Sequence, residues 1–130
     1  MRFFVYGMLK SNQPKAWMIP FSISKPYVLK NFKMYLRPNG TAGMIQGTVN
    51  DQVIGEIREV KWDKLPIIGK PLSKLLLYLL DLNEGTDIGI YKRAKISRRS
   101  AEPYNMWTYI FNGPTDTYKV IEKWEKEERR

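Results

Sequence analysis

The stretch RFFVYGMLKS, residues 2–11, is where the reading of this chain begins. Phe3, Phe4, Val5 and Tyr6 are consecutive bulky apolar residues, the composition of a short buried strand. Gly7 stops that run, and Met8, Leu9 and Lys10 follow it. A glycine at the end of a strand admits two readings. It supplies a tight turn whose backbone needs φ > 0, or it lets a ligand approach the backbone where a Cβ would otherwise stand. In the second reading, the successive N–H groups leaving the strand form an anion-binding nest.

Working outward, residues 11–26 hold Pro14, Pro20 and Pro26 and read as a loop. Residues 27–36 are strand-like, and Pro38-Asn39-Gly40 supplies turn chemistry. Residues 44–49 and 52–60 are expected to form a hairpin around Asn50-Asp51, with Gly55 marking a bulge. The run KPLSKLLLYLLDLNEG, residues 70–85, predicts a helix centred on 72–83. Pro71 suits its first turn and Gly85 the left-handed position after its last. Its leucines cover more than one face, which predicts burial on several sides. Residues 91–96 and 106–111 read as strands, with Gly113-Pro114 ending the second. Residues 115–130 predict a charged terminal helix with Val120, Ile121 and Trp124 as its buried stripe. Eight of its last ten residues are charged, sum to zero and interleave in sign, as on an exposed helix with i,i+4 pairs. This order predicts an α+β fold with a curved, mainly antiparallel or mixed sheet, in one domain over residues 1–130.

Composition narrows the chemistry. The 130 residues are 43% apolar and 27% charged, the balance of a folded domain with a single core. Cysteine and histidine are absent, which excludes disulfides, thiolate nucleophiles, Ser-His-Asp triads and nearly every zinc site. Proton transfers therefore fall to Asp, Glu, Lys or Tyr. No apolar run approaches the ~20 residues of a membrane helix. Strand-like residues stand where a signal peptide would be apolar, so a cytoplasmic location is expected. The net charge is +9, and residues 1–50 hold seven Lys or Arg and no acid. That half is either a solvated basic surface or an attractor of anions: a small carboxylate substrate, or a nucleic acid. No phosphate-cradling loop, zinc finger or aromatic RNA-binding motif accompanies it.

The second point of interest is LLDLNEG, residues 79–85. Glu84 falls in the last helical turn, where a carboxylate meets the negative end of the helix dipole. Set among apolar walls, its pKa would rise into the range of a general base. The alternative is an exposed glutamate near a helix cap. Asp81, three residues earlier, lies on a neighbouring face and is expected to be structural.

FVYGML, VIGEIREV, LLDLNEG, YKRAKI and WTYIF, in this order over residues 3–112, resemble the gamma-glutamylcyclotransferase-like proteins, especially the AIG2-like and gamma-glutamylamine cyclotransferase branch. That family shows Tyr-Gly-(Ser/Thr)-Leu after its first strand, a Gly-Glu-Leu-Tyr-like strand, a Leu-Asp-x-x-Glu-Gly helix end and Tyr-x-Arg in the next strand. The resemblance implies a small mixed β-barrel with flanking helices. It implies Glu84 as the catalytic acid/base. It makes Tyr6, Gly7, Met8 and Leu9 the loop gripping a gamma-glutamyl group, and sets Tyr109 near the pocket. The implied reaction is intramolecular: the substrate's alpha-amine attacks its own gamma-amide, giving 5-oxoproline and a free amine or amino acid, without metal or cofactor. Two positions depart from the pattern: Met8 stands for the usual Ser or Thr, and Arg58 for the usual aromatic residue. The alternative is a non-catalytic member of the fold that binds a metabolite or nucleic acid through its basic half. Either a monomer or a homodimer fits.

Overall fold

The first strand, β1 (Arg2–Val5), is central, and its side chains alternate between two cores. Phe3 and Val5 enter one buried cluster, while Phe4 and Tyr6 enter the other. This is the period-2 geometry of a strand covered on both faces. The chain's computed structural model describes residues 1–130 except 8, 14, 38–39, 85–90, 98–104, 114–117 and 125–130. The side chains of Asp63, Glu84, Ser97 and Asn105 also lie outside the description.

The fold is mixed α+β. β2 (Ile23–Lys30), β3 (Phe32–Leu36), β4 (Ala42–Gln46) and β5 (Gln52–Glu59) precede a helix, α1 (Gly69–Glu84). β6 (Tyr91–Ser97), β7 (Asn105–Phe111) and β8 (Lys119–Ile121) follow it. A five-stranded sheet runs β2-β5-β1-β7-β6, antiparallel except for the β1–β7 pair. A three-stranded antiparallel sheet runs β4-β3-β8. The two sheets lean together where β4 meets β7 and β3 meets β5. The approach is close: a Cβ on Gly43 would stand 2.9 Å from the Phe111 side chain.

The structure corrects four local expectations. The strand expected over 27–36 breaks at Asn31, whose φ of 68° is a conformation that Asn tolerates better than most residues. The hairpin expected around Asn50-Asp51 does not form. β4 pairs with β3, and β5 with β1 and β2, so the turn is present but its flanking strands part into different sheets. Gly55 marks no bulge, since the β5 register is unbroken on both sides. Instead, a Cβ there would meet the Val5 carbonyl oxygen at 2.4 Å. The terminal helix is replaced over its described part. Residues 119–121 add a strand to β3, and Trp124 is buried, its indole N–H donating to the Gly40 carbonyl at 2.7 Å.

Helix α1 begins one residue before the expected run, but it is buried on one side only. Leu76 and Leu80 enter the core with Phe3, Val5 and Tyr109, while Leu72, Leu75, Tyr78, Leu79 and Leu82 are exposed. Leucine is favoured in helices for its propensity as well as its burial, so a leucine run overstates the number of covered faces.

Candidate active site

Beyond β1, residues 7–10 form a turn closed by the Lys10 N–H donating to the Gly7 carbonyl at 3.1 Å. Gly7 has no positive φ, and a Cβ there would meet nothing within 4 Å. Neither backbone strain nor packing requires glycine at this position. Its missing side chain instead leaves space open, and that space is a cavity of about 370 Å³.

The turn's surroundings are held firmly. The Tyr6 hydroxyl donates to the Tyr109 carbonyl at 2.7 Å, tying the end of β1 to β7. Lys10 is buried and donates to the Trp124 carbonyl at 2.5 Å. Arg58, on β5, reaches into the loop behind. Its Nη1 donates to the carbonyls of Leu9 and Ala16 at 2.8 and 2.6 Å. Its Nη2 donates to the Ile19 carbonyl and the Ser22 hydroxyl at 3.0 and 2.7 Å. Burial pulls this guanidinium below its ordinary pKa, against a raising influence from Glu56.

The end of α1 forms another part of the cavity wall through Leu82 and Asn83. Glu84 is the helix's last residue, four beyond Leu80 and eight beyond Leu76, and so on the core-facing side of the helix. One turn earlier, Asp81 accepts a hydrogen bond from the Tyr109 hydroxyl at 2.7 Å and lies 3.5 Å from Arg93. Tyr109 is therefore oriented from both ends of the residue, by its carbonyl and by its hydroxyl. Lys15 reaches over from the loop and donates to the Asn83 side-chain oxygen. From the remaining wall come Arg37, Thr41 and Tyr91. Among the described residues, no cluster of Asp or Glu is suited to hold a metal ion.

Residues 3–126 match the family model for gamma-glutamyl cyclotransferase, AIG2-like proteins. The chain belongs to this family. Solved structures share its fold at low identity. A crystal structure of an uncharacterized protein from Pyrococcus horikoshii has a TM-score of 0.66 at 15% identity, over 94% of this chain and 86% of that one. The solution structure of ytfP from Escherichia coli has a TM-score of 0.61 at 24% identity, over 95% and 93%. A structure named gamma-glutamyl cyclotransferase has a TM-score of 0.59 at 18% identity, over 92% and 69%. No curated protein matches the chain in sequence.

In this member of the gamma-glutamyl cyclotransferase, AIG2-like family, Tyr6, Gly7, Leu9 and Tyr109 line one cavity. Met8 lies outside the described residues, and Glu84 is placed by its backbone only. Sequence reasoning missed Lys15, Arg37 and Tyr91. Tyr91 and Arg93 occupy the Tyr-x-Arg motif, which was the available signal for that wall. Arg37 had only its position before a turn, and Lys15 only its place in a basic half that also reads as ordinary surface.

Proposed function

We propose that the protein is a cyclotransferase acting on gamma-glutamyl compounds, releasing 5-oxoproline and the amine or amino acid on the far side of the amide. The observation that carries this reading is the opening at Gly7. A glycine required by neither conformation nor packing faces a cavity whose wall continues into the helix end bearing Glu84.

The chemistry needs little from the protein beyond positioning and one proton. The attacking alpha-amine is tethered to its target, and a well-aligned intramolecular attack lowers the barrier by on the order of 7–11 kcal/mol relative to the bimolecular reaction. The cavity must fold the substrate so that its nitrogen meets the gamma-carbon and a five-membered lactam closes. In this reading, the backbone donors from Gly7 to Leu9 hold the alpha-carboxylate or the developing oxyanion. Glu84 removes a proton from the substrate ammonium, freeing the lone pair that attacks. It returns that proton to the departing nitrogen as the amide C–N bond breaks. Asp81 is a poor candidate for that role, because Tyr109 and Arg93 already engage it. Tyr109 then presents a fixed aromatic wall against which the glutamyl chain folds.

The direct test is to incubate the protein with a panel of gamma-glutamyl amino acids and gamma-glutamyl amines and to quantify 5-oxoproline. Turnover of at least one compound is expected. Binding of panel members without any 5-oxoproline would replace the enzyme with a binding protein of the same fold.

A further inference from the structure

The described cavity wall carries two cations, Lys15 and Arg37, and no acid. Lys15 is engaged by Asn83 at the helix end. Arg37 is only half engaged. Its Nη1 contacts the Thr41 and Tyr91 hydroxyl oxygens, each at 3.3 Å. Its Nε is shut off from solvent with no hydrogen-bond partner, and no carboxylate lies within ion-pair distance of Arg37 among the described residues.

The side chain is nonetheless held in place. Its guanidinium carbon lies 5.6 and 4.9 Å from the ring centroids of Tyr91 and Phe111, a cation–π arrangement. Its backbone closes a turn, the Arg37 N–H donating to the Thr41 carbonyl at 2.8 Å and the Arg37 carbonyl accepting from Gly40 at 2.9 Å. Tyr91 gives its own hydroxyl proton to the Ala42 carbonyl, so toward Arg37 it acts as an acceptor. The Nη1 edge is therefore used, and the Nε–Nη2 edge is left over. That edge presents two parallel donors, the fork that binds a carboxylate in bidentate fashion.

Strand register sets this fork apart from the proposed reaction centre. On the β6–β7 ladder, Arg93 faces Tyr109 and Tyr91 faces Phe111. Tyr91 and Arg93 point to the same side of the strand, about 7 Å apart along it. The Asp81–Tyr109–Arg93 group beside the helix end and the Arg37–Tyr91–Phe111 group are thus successive stations along one wall. A substrate whose glutamyl end lies by Gly7 and the helix end extends its other end toward Arg37.

We infer that Arg37 binds a carboxylate on the leaving group, so that the preferred substrates are gamma-glutamyl amino acids rather than gamma-glutamyl amines. This inference rests on the cyclotransferase reading. It is tested with a matched pair, gamma-glutamyl-alanine and gamma-glutamyl-ethylamide, which differ only in that carboxylate. Binding is measured by calorimetry on Glu84→Gln, in which turnover is blocked, and then on Glu84→Gln combined with Arg37→Met or Arg37→Lys. A carboxylate held by a charge-assisted pair is expected to favour gamma-glutamyl-alanine about 10–100-fold. Arg37→Met is expected to bring the ratio close to one, with Arg37→Lys between. Equal affinity for the two compounds with Arg37 present, no binding of either, or a preference that survives Arg37→Met would overturn the inference. If Arg37→Met fails to fold, the comparison with Arg37 present and the lysine variant still decide it. Because the readout is binding, a preference that follows Arg37 stands even if the wild-type protein makes no 5-oxoproline, so the two failures are distinguishable.

Discussion

Arg58 and Arg37 share one peculiarity: each buries a guanidinium Nε that has no partner. Their remaining nitrogens part company. Those of Arg58 are spent on three carbonyls and a hydroxyl of the loop behind Gly7, at 2.6–3.0 Å. Those of Arg37 reach two hydroxyl oxygens at 3.3 Å, in the wall of a cavity. The first arginine is a finished internal structure. An irregular loop with little apolar content is organised by a cation at its centre, at the position where the family pattern carries an aromatic residue. The second is an unfinished one, oriented by rings and hydroxyls but lacking an anion. A buried arginine is therefore read by where its donors go, since its burial is the same statement in both cases.

The largest effect expected from this contrast is on stability. Arg58→Leu strips the donors from the Leu9, Ala16 and Ile19 carbonyls and the Ser22 hydroxyl, and a loss on the order of 4 kcal/mol is expected, at roughly 1–3 kcal/mol per group left unsatisfied less what water recovers. Urea unfolding measures it, and a midpoint close to wild type would mean the loop does not depend on Arg58. Next in size comes Gly55→Ala, on the same strand. Its new Cβ would collide with the Val5 carbonyl and the Phe4 ring, and a cost of about 2–3 kcal/mol is expected from the strain of overpacking. The same substitution at Gly7 is the counterpart: with nothing within 4 Å of the new Cβ, stability is expected to change by no more than about 0.5 kcal/mol, while substrate affinity falls. Thermal unfolding and substrate titration of the two alanine variants separate a glycine needed for packing from one that keeps a cavity open. The smallest stability effect is expected at the second arginine. Arg37→Leu forfeits two long contacts to neutral groups, and a change below about 1 kcal/mol is expected in the same urea experiment. Equal losses for Arg58→Leu and Arg37→Leu would erase the distinction between them.

What the sequence disclosed follows the range of the interactions involved. β1 was legible because four bulky residues and a glycine are a local signal, and the helix because its leucines repeat over sixteen residues. Strand pairing was not. The turn at residues 48–51 is there, with Asp51 accepting from the Thr48 N–H at 2.8 Å, but which strand β5 joins is settled by distant contacts with Phe4 and Val5. Charge spacing over residues 118–124 fits a helix only while nothing else competes. A free edge of β3 and a socket for Trp124 do compete, and the segment becomes a strand. At the candidate site, Tyr6, Gly7, Leu9 and Tyr109 were legible through motif order. Lys15 and Arg37 were not, because a basic residue reads as surface until the fold shows which walls meet.

The most direct test of the central proposal is 5-oxoproline release by wild type and Glu84→Gln, assayed on the best substrate of the panel with folding checked by circular dichroism. Glutamine keeps the size and hydrogen-bonding reach of glutamate but cannot carry the proton. With an unchanged spectrum, the variant is expected to lose about 10²–10⁴-fold in rate, the usual contribution of a general acid–base group. A correctly folded Glu84→Gln that retains near wild-type turnover would contradict the account.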